Sequence, residues 1–91
     1  CVSCHGSHAV RAVADPRAGA HPAAQPATCG TCHAASARAF MASVHARATR
    51  AGAAAAGVVP SCAACHGAHR VEPARVAASL VSRRRVTATC G

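Results

Sequence analysis

Cysteine and histidine recur in this chain in one five-residue pattern, at Cys1-Val2-Ser3-Cys4-His5, Cys29-Gly30-Thr31-Cys32-His33 and Cys62-Ala63-Ala64-Cys65-His66. Two thiols one helical turn apart face a common partner, and the imidazole of the next residue stands beside them. The pattern is the c-type haem attachment signature: the thiols add across the two vinyl groups of a haem, and the His becomes the proximal ligand of the iron. Cys-x-x-Cys pairs also build redox dithiols and zinc knuckles, and two pairs together make a Cys4 zinc site. The trailing His decides between these chemistries. With seven His in 91 residues, three accidental placements behind three pairs have a probability on the order of 1 in 2000. A disulfide scaffold has no reason to place His there either. The attachment residues are therefore Cys1, Cys4, Cys29, Cys32, Cys62 and Cys65, with His5, His33 and His66 as proximal ligands of three covalent haems. The seventh cysteine, Cys90, sits in Ala88-Thr89-Cys90-Gly91, which repeats Ala27-Thr28-Cys29-Gly30. It reads as the first half of a fourth motif, truncated where the chain stops.

Seven histidines less three proximal ones leave His8, His21, His45 and His69 for the far faces of the haems. Three six-coordinate irons need six nitrogens, so every haem can be bis-His without Met41, which is read as packing against a porphyrin. His8 and His69 follow a proximal His by three residues, a tether too short to reach around the same ring. Each serves a neighbouring haem or none. His45 stands twelve residues beyond His33, about 18 Å along a helix. Its own haem is reachable only if the chain folds back, and haem three or one is an equal candidate. His21 maps onto Ser82 at an offset of 61 residues, the offset at which the motifs themselves repeat, which makes it the expendable member of the set.

The elements that carry these residues repeat. Cys1 and Cys62 are 61 residues apart, as are Cys29 and Cys90, and the offset lays Cys1-x-x-Cys4-His5-Gly6-Ser7-His8 on Cys62-x-x-Cys65-His66-Gly67-Ala68-His69. Residues 1–61 form a complete two-haem repeat, residues 62–91 form the first half of the next, and the whole reads as a single multihaem module. Asp15-Pro16, Gly19, His21-Pro22 and Gln25-Pro26 punctuate the segment between the first two motifs and predict turn or extended structure. The stretch from Ala34 to about Arg50 is free of Gly and Pro and rich in Ala and Arg, which predicts one helix. Gly52, Gly57 and Pro60 end it, with the low-complexity run AGAAAAG leading to the third motif. A second short helix is expected from Pro73 to about Leu80. No alternation of β-branched residues predicts a strand anywhere.

Composition bounds the rest. The chain has no Trp, no Tyr, one Phe and one Met, so its apolar content is mostly Ala and Val and cannot fill a core at native density. Covalent haems supply the missing large apolar bodies, as metals and disulfides do in other undersized scaffolds, and the chain without them is expected to be largely unfolded. A net charge of +8 arises from ten Arg and no Lys against Asp15 and Glu72. Without interleaved aromatic residues or a recognition module this basicity does not indicate nucleic-acid binding. Haem propionates, about six charges for three haems, pair with Arg forks instead. The run Arg83-Arg84-Arg85 is dense enough to matter to a partner, yet it reads first as solvated or propionate-facing. No apolar run is long enough to span a bilayer.

Cys-x-x-Cys-His-Gly-x-His, then Asp-Pro, then Thr-Cys-Gly-x-Cys-His, then Ser43-Val44-His45, then Cys-x-x-Cys-His-Gly-x-His again, resembles the repeating unit of bacterial multihaem c-type cytochromes. The resemblance implies a mainly irregular fold with short α-helices wrapped around covalently bound haems and no significant β-sheet. It implies bis-His haems on His5, His33 and His66, with distal ligands at His8, His45 and His69. It further implies electron transfer in a respiratory or extracellular system, with other haem modules of the same longer chain and redox proteins as partners. Since haem is attached to this motif outside the bacterial cytoplasm, the location implied is periplasmic or at the cell surface. The second copy departs from the first, because Asp15-Pro16 becomes Val76-Ala77 and His21 becomes Ser82. Two competing readings remain: the electron-feeding part of a multihaem reductase or oxidase, which needs an open iron with acid or base groups beside it, and a zinc-binding module.

Overall fold

The computed structural model describes residues 1–50 and 60–90 and divides the chain into two units, Cys1–Ser61 and Cys62–Gly91. The run AGAAAAG and the helix end expected at Gly52 and Gly57 lie outside the described residues. The first unit carries α1 (Val2–His5), α2 (Gln25–Gly30), α3 (Ala34–Ala42) and α4 (Val44–Arg50), and the second carries α5 (Cys62–His66) and α6 (Val86–Cys90). Among the described residues there is no strand, and no helix is long and apolar enough to cross a membrane.

The segment between α1 and α2 is built from turns that close every third residue. The N–H groups of Asp15, Ala18, His21 and Ala24 donate to the carbonyls of Ala12, Asp15, Ala18 and His21 at 2.8–3.0 Å. Pro16 and Pro22 each occupy the second position of a turn, where their fixed φ suits the conformation. Side chains at the first position cap the free amide two residues on: Asp15 Oδ1 accepts from the Arg17 N–H at 2.9 Å, and His21 Nδ1 accepts from the Ala23 N–H at 3.2 Å. This is the local side-chain turn that Asp and Asn commonly make, and here a histidine makes it as well.

The second unit builds the same ladder between α5 and α6. The N–H groups of Val76, Ser79, Ser82 and Arg85 donate to Pro73, Val76, Ser79 and Ser82 at 2.9–3.1 Å, each donor 61 residues beyond its counterpart. Residues 11–26 and 72–87 have no identical residue at that offset, so the ladder is a property of the backbone. Its top is tied down in the same way in both units: Thr28 Oγ1 donates to the Gly19 carbonyl at 2.8 Å, and Thr89 Oγ1 to the Leu80 carbonyl at 2.7 Å.

Two helical expectations are corrected. Residues 73–80 form turns: Val76 and Ser79 donate their N–H groups to carbonyls three residues back, at Pro73 and Val76, and Ser79 Oγ takes the Glu72 carbonyl that the Val76 N–H would use in a helix. Serine competes with the main chain for such groups. The single helix expected from Ala34 to about Arg50 is two helices. Ser43 adopts extended backbone, with φ −81° and ψ 168°, while its N–H and hydroxyl both donate to the Phe40 carbonyl. Ala37 and Met41 thereby fall on α3, and His45 and Ala48 on α4.

Packing in the first unit joins α1 to α2, α2 to α3 and α3 to α4. Two glycines permit the closest approaches. A Cβ at Gly19 would lie 2.9 Å from the Cys4 carbonyl oxygen, and one at Gly30 would lie 3.0 Å from the Ala37 Cβ. Among the described residues only Ala18 and Ala46 are buried apolar residues, and no large side chain is fully buried.

Candidate functional site

Each of the first two Cys-x-x-Cys-His segments closes into one helical turn with the same two bonds. Cys4 and His5 donate their N–H groups to the Cys1 carbonyl at 3.2 and 2.9 Å, and Cys32 and His33 donate to Cys29 at 3.2 and 2.9 Å. The equivalence holds although the first segment opens on α1 and the second leaves the end of α2. The third lies within α5. None of the seven cysteines is in a disulfide; Cys1, Cys4, Cys32 and Cys90 are exposed and Cys29, Cys62 and Cys65 half-buried. One turn brings the two thiols of a segment to the same side.

Beyond the proximal histidine the three segments diverge. Gly6 and Gly67 have φ values of 77° and 81°, a region that side chains disfavour, and they turn the chain out of the helix toward His8 and His69. His33 leads directly into α3 as its N-terminal flanking residue. The first and third segments thus present a second histidine after a reversal, whereas the second presents a helix that breaks at Ser43 just before His45. The glycines are legible in the sequence as the shared neighbour of His5 and His66; the break at Ser43 is not.

His5 and His21 are half-buried, and His8, His33, His45, His66 and His69 are exposed. Among the described residues, no three His, Cys, Asp or Glu side chains come together to hold a metal ion. The protein donors needed for a tetrahedral zinc site, four from the chain, do not converge there. A porphyrin supplies four nitrogens itself, so its iron asks the chain for one imidazole or two on opposite faces. Paired cysteines with an adjoining histidine, repeated without further clustering, suit that demand.

Two candidate distal histidines differ in their hydrogen bonds. A backbone N–H can only donate, so the bond from Ala23 makes His21 Nδ1 an acceptor and leaves the neutral ring's proton on Nε2. His8 Nδ1 lies 3.1 Å from the Ser7 hydroxyl, a group able to accept the Nδ1 proton and leave Nε2 bare.

Charge is partly committed within the chain. Asp15 takes Arg17 through Nε at 3.1 Å and Nη2 at 3.0 Å, and Arg11 at 3.2 Å. Those bonds, Arg17's foremost, hold its carboxyl down at about 2 against an ordinary 3.8. Asp15 therefore stays ionised at any ordinary pH, and Arg11 and Arg17 are engaged with it rather than held ready for another anion. The offset turns this trio into Glu72, Val76 and Ala78, so it belongs to the first unit alone.

Beside the second segment, α2 and α3 enclose an open groove of about 620 Å³ lined by Ala23, Pro26, Ala27, Ala37, Arg38, Met41 and Ala42. The sequence does not reveal this groove, since its two walls come together through the packing of α2 on α3, which includes the close Gly30–Ala37 approach. Nor does the sequence single out the capping roles of Asp15 and His21, although the six-residue spacing of Asp15-Pro16 and His21-Pro22 is the available signal. Compared with known proteins, the chain matches no family model, no curated protein and no solved structure.

Proposed function

We propose that this chain is an electron-transfer module carrying three covalently attached c-type haems, with Cys90 as the first thiol of a fourth site. The reading rests chiefly on the Cys-x-x-Cys-His turn, which recurs with no disulfide across its cysteines and, in its first two copies, with the same pair of backbone bonds. Haem, when bound, supplies a one-electron couple at iron. The chain's own part is to attach, orient and enclose it. Thiol pairs Cys1/Cys4, Cys29/Cys32 and Cys62/Cys65 hold the macrocycles through thioether bonds, each formed by adding S–H across a vinyl double bond. His5, His33 and His66 would each supply an imidazole nitrogen to the iron.

His8, His45 and His69 are the distal set, one for each iron. His21 is left out, because its Nε2 carries the proton while Nδ1 caps the turn. With two histidines given to each iron, the haems would have no place for a substrate on the metal, and the only acidic side chains are Asp15 and Glu72. Asp15 is engaged by two arginines, which leaves little acid or base chemistry to assign here. Redox proteins and further haem modules are the partners this reading calls for, in the periplasm or at the cell surface.

Expression in a host with a haem-attachment system tests it. The expected product is a red protein with sharp c-type bands on reduction and a mass raised by three haems, and Cys4→Ala, Cys32→Ala or Cys65→Ala should each abolish normal two-thioether attachment at one site. A colourless chain that binds zinc stoichiometrically would sink the proposal.

A further inference from the structure

The groove between α2 and α3 combines an apolar lining with one cation. Six of its seven lining residues are Ala, Pro or Met, and the seventh is Arg38. Small side chains on both walls leave space that nothing in the first unit's sparse core fills. Among the described residues Arg38 makes no ion pair: the two pairs present join Asp15 to Arg11 and Arg17. The shape and charge together call for a flat or bulky apolar body bearing an anionic edge.

An anchor for such a body lies on the same elements. Pro26 and Ala27 precede Cys29 by three and two residues, about 4.5 and 3 Å along the helix axis. On the other wall, Ala37 and Arg38 follow His33 by four and five residues, on the helix that His33 introduces. A macrocycle tied to Cys29 and Cys32 is thus confined next to the groove, and its propionates are carboxylates of the kind a guanidinium fork binds bidentately.

We infer that the α2–α3 groove seats the haem attached at Cys29 and Cys32, and that Arg38 binds a propionate of that haem. The inference rests on the proposal that the chain carries covalent haem. Met41 lines the groove as an adaptable apolar filler against the ring, and Gly30 lets the walls approach to the required width. Arg38 acts as a positioning residue. A cation held beside a haem favours the reduced form, which carries one more negative charge, and so raises that haem's potential.

The test uses the haem-loaded full chain and its Arg38→Gln, Arg38→Lys, Ala27→Leu and Ala39→Leu variants. Ala39 lies on α3 and is exposed outside the groove, so it serves as the control. Potentials are followed haem by haem by redox titration with electron paramagnetic resonance, and attachment by mass analysis of the Cys29–Cys32 peptide. Arg38→Gln should shift the redox equilibrium of one haem by about threefold to tenfold toward the oxidised form, about 28 to 59 mV for a one-electron couple. Arg38→Lys should restore part of that shift. Ala27→Leu should lower occupancy at Cys29 and Cys32 or change that haem's g values, and Ala39→Leu should do neither. Three attached haems that all titrate as in the unmodified chain in Arg38→Gln would overturn the inference, as would an equal shift of all three. A chain that attaches no haem would instead overturn the underlying proposal.

Discussion

His21 and His8 put the same side chain to two uses, and a single hydrogen bond separates them. His21 spends Nδ1 on the Ala23 amide, as Asp15 spends Oδ1 on Arg17 two turns earlier. Its remaining nitrogen carries a proton and offers no lone pair to a metal. His8 has a hydroxyl beside Nδ1, which suits the opposite tautomer. In the haem-loaded chain, His21→Ala should leave all three haems low-spin while speeding exchange of the Ala23 amide. His8→Ala should convert one haem of the three to a high-spin ferric signal. A high-spin signal in His21→Ala would return that residue to the ligand set. Residue types and spacing single out the cysteine pairs and the histidines that follow them without coordinates, because the thioether attachment proposed for them demands an unvarying local pattern. Spacing could not distinguish a capping histidine from a ligating one, since that depends on which ring nitrogen the backbone occupies.

At the scale of elements, the reversal after each outer motif is made by glycine. Gly6 has φ 77° and ψ 179°, a conformation nearly exclusive to glycine and costly for other residues by about 1–3 kcal/mol. A Cβ there meets nothing within 4 Å, whereas one at Gly67 meets the Arg70 carbonyl oxygen at 3.4 Å. Gly6→Ala should therefore destabilise the haem-loaded chain by about 1–3 kcal/mol through backbone conformation alone, and Gly67→Ala by at least as much, both read from denaturant unfolding. Equal stability of Gly6→Ala and the unmodified chain would show that the reversal is not required. Turn residues before the second motif were legible because proline fixes φ. The turns of the second unit were not, since Ala, Leu and Arg favour helix there and the side chains that bond to distant carbonyls, Ser79, Ser82 and Arg85, are not marked by any turn residue. The same blindness explains Ser43, whose hydroxyl and amide share one carbonyl and divide an otherwise uniform Ala-rich helix.

For the whole molecule the governing fact is the shortage of interior. Among the described residues the buried apolar set is two alanines, while Val2, Val10, Val13, Val44 and Val71 stay largely exposed. Apolar burial contributes about 25 cal/mol per Å², and two alanines supply little of it against an ordering cost of about 1–2 kcal/mol per residue. On the proposed reading, the enclosed haems supply the apolar contacts that these side chains do not. The protein expressed without haem attachment should show weak helical circular dichroism and a broad, non-cooperative thermal transition, and the loaded protein a cooperative one. A sharp transition in the haem-free chain would contradict this.

Across residues 11–26 and 72–87 the two copies share no residue at the 61-residue offset, yet donors and acceptors pair at the same offset rung after rung. Main-chain groups are present whatever the side chain, so the ladder tolerates a change of letter at these positions but not a change in their number: an inserted or deleted residue would move every later donor off its acceptor.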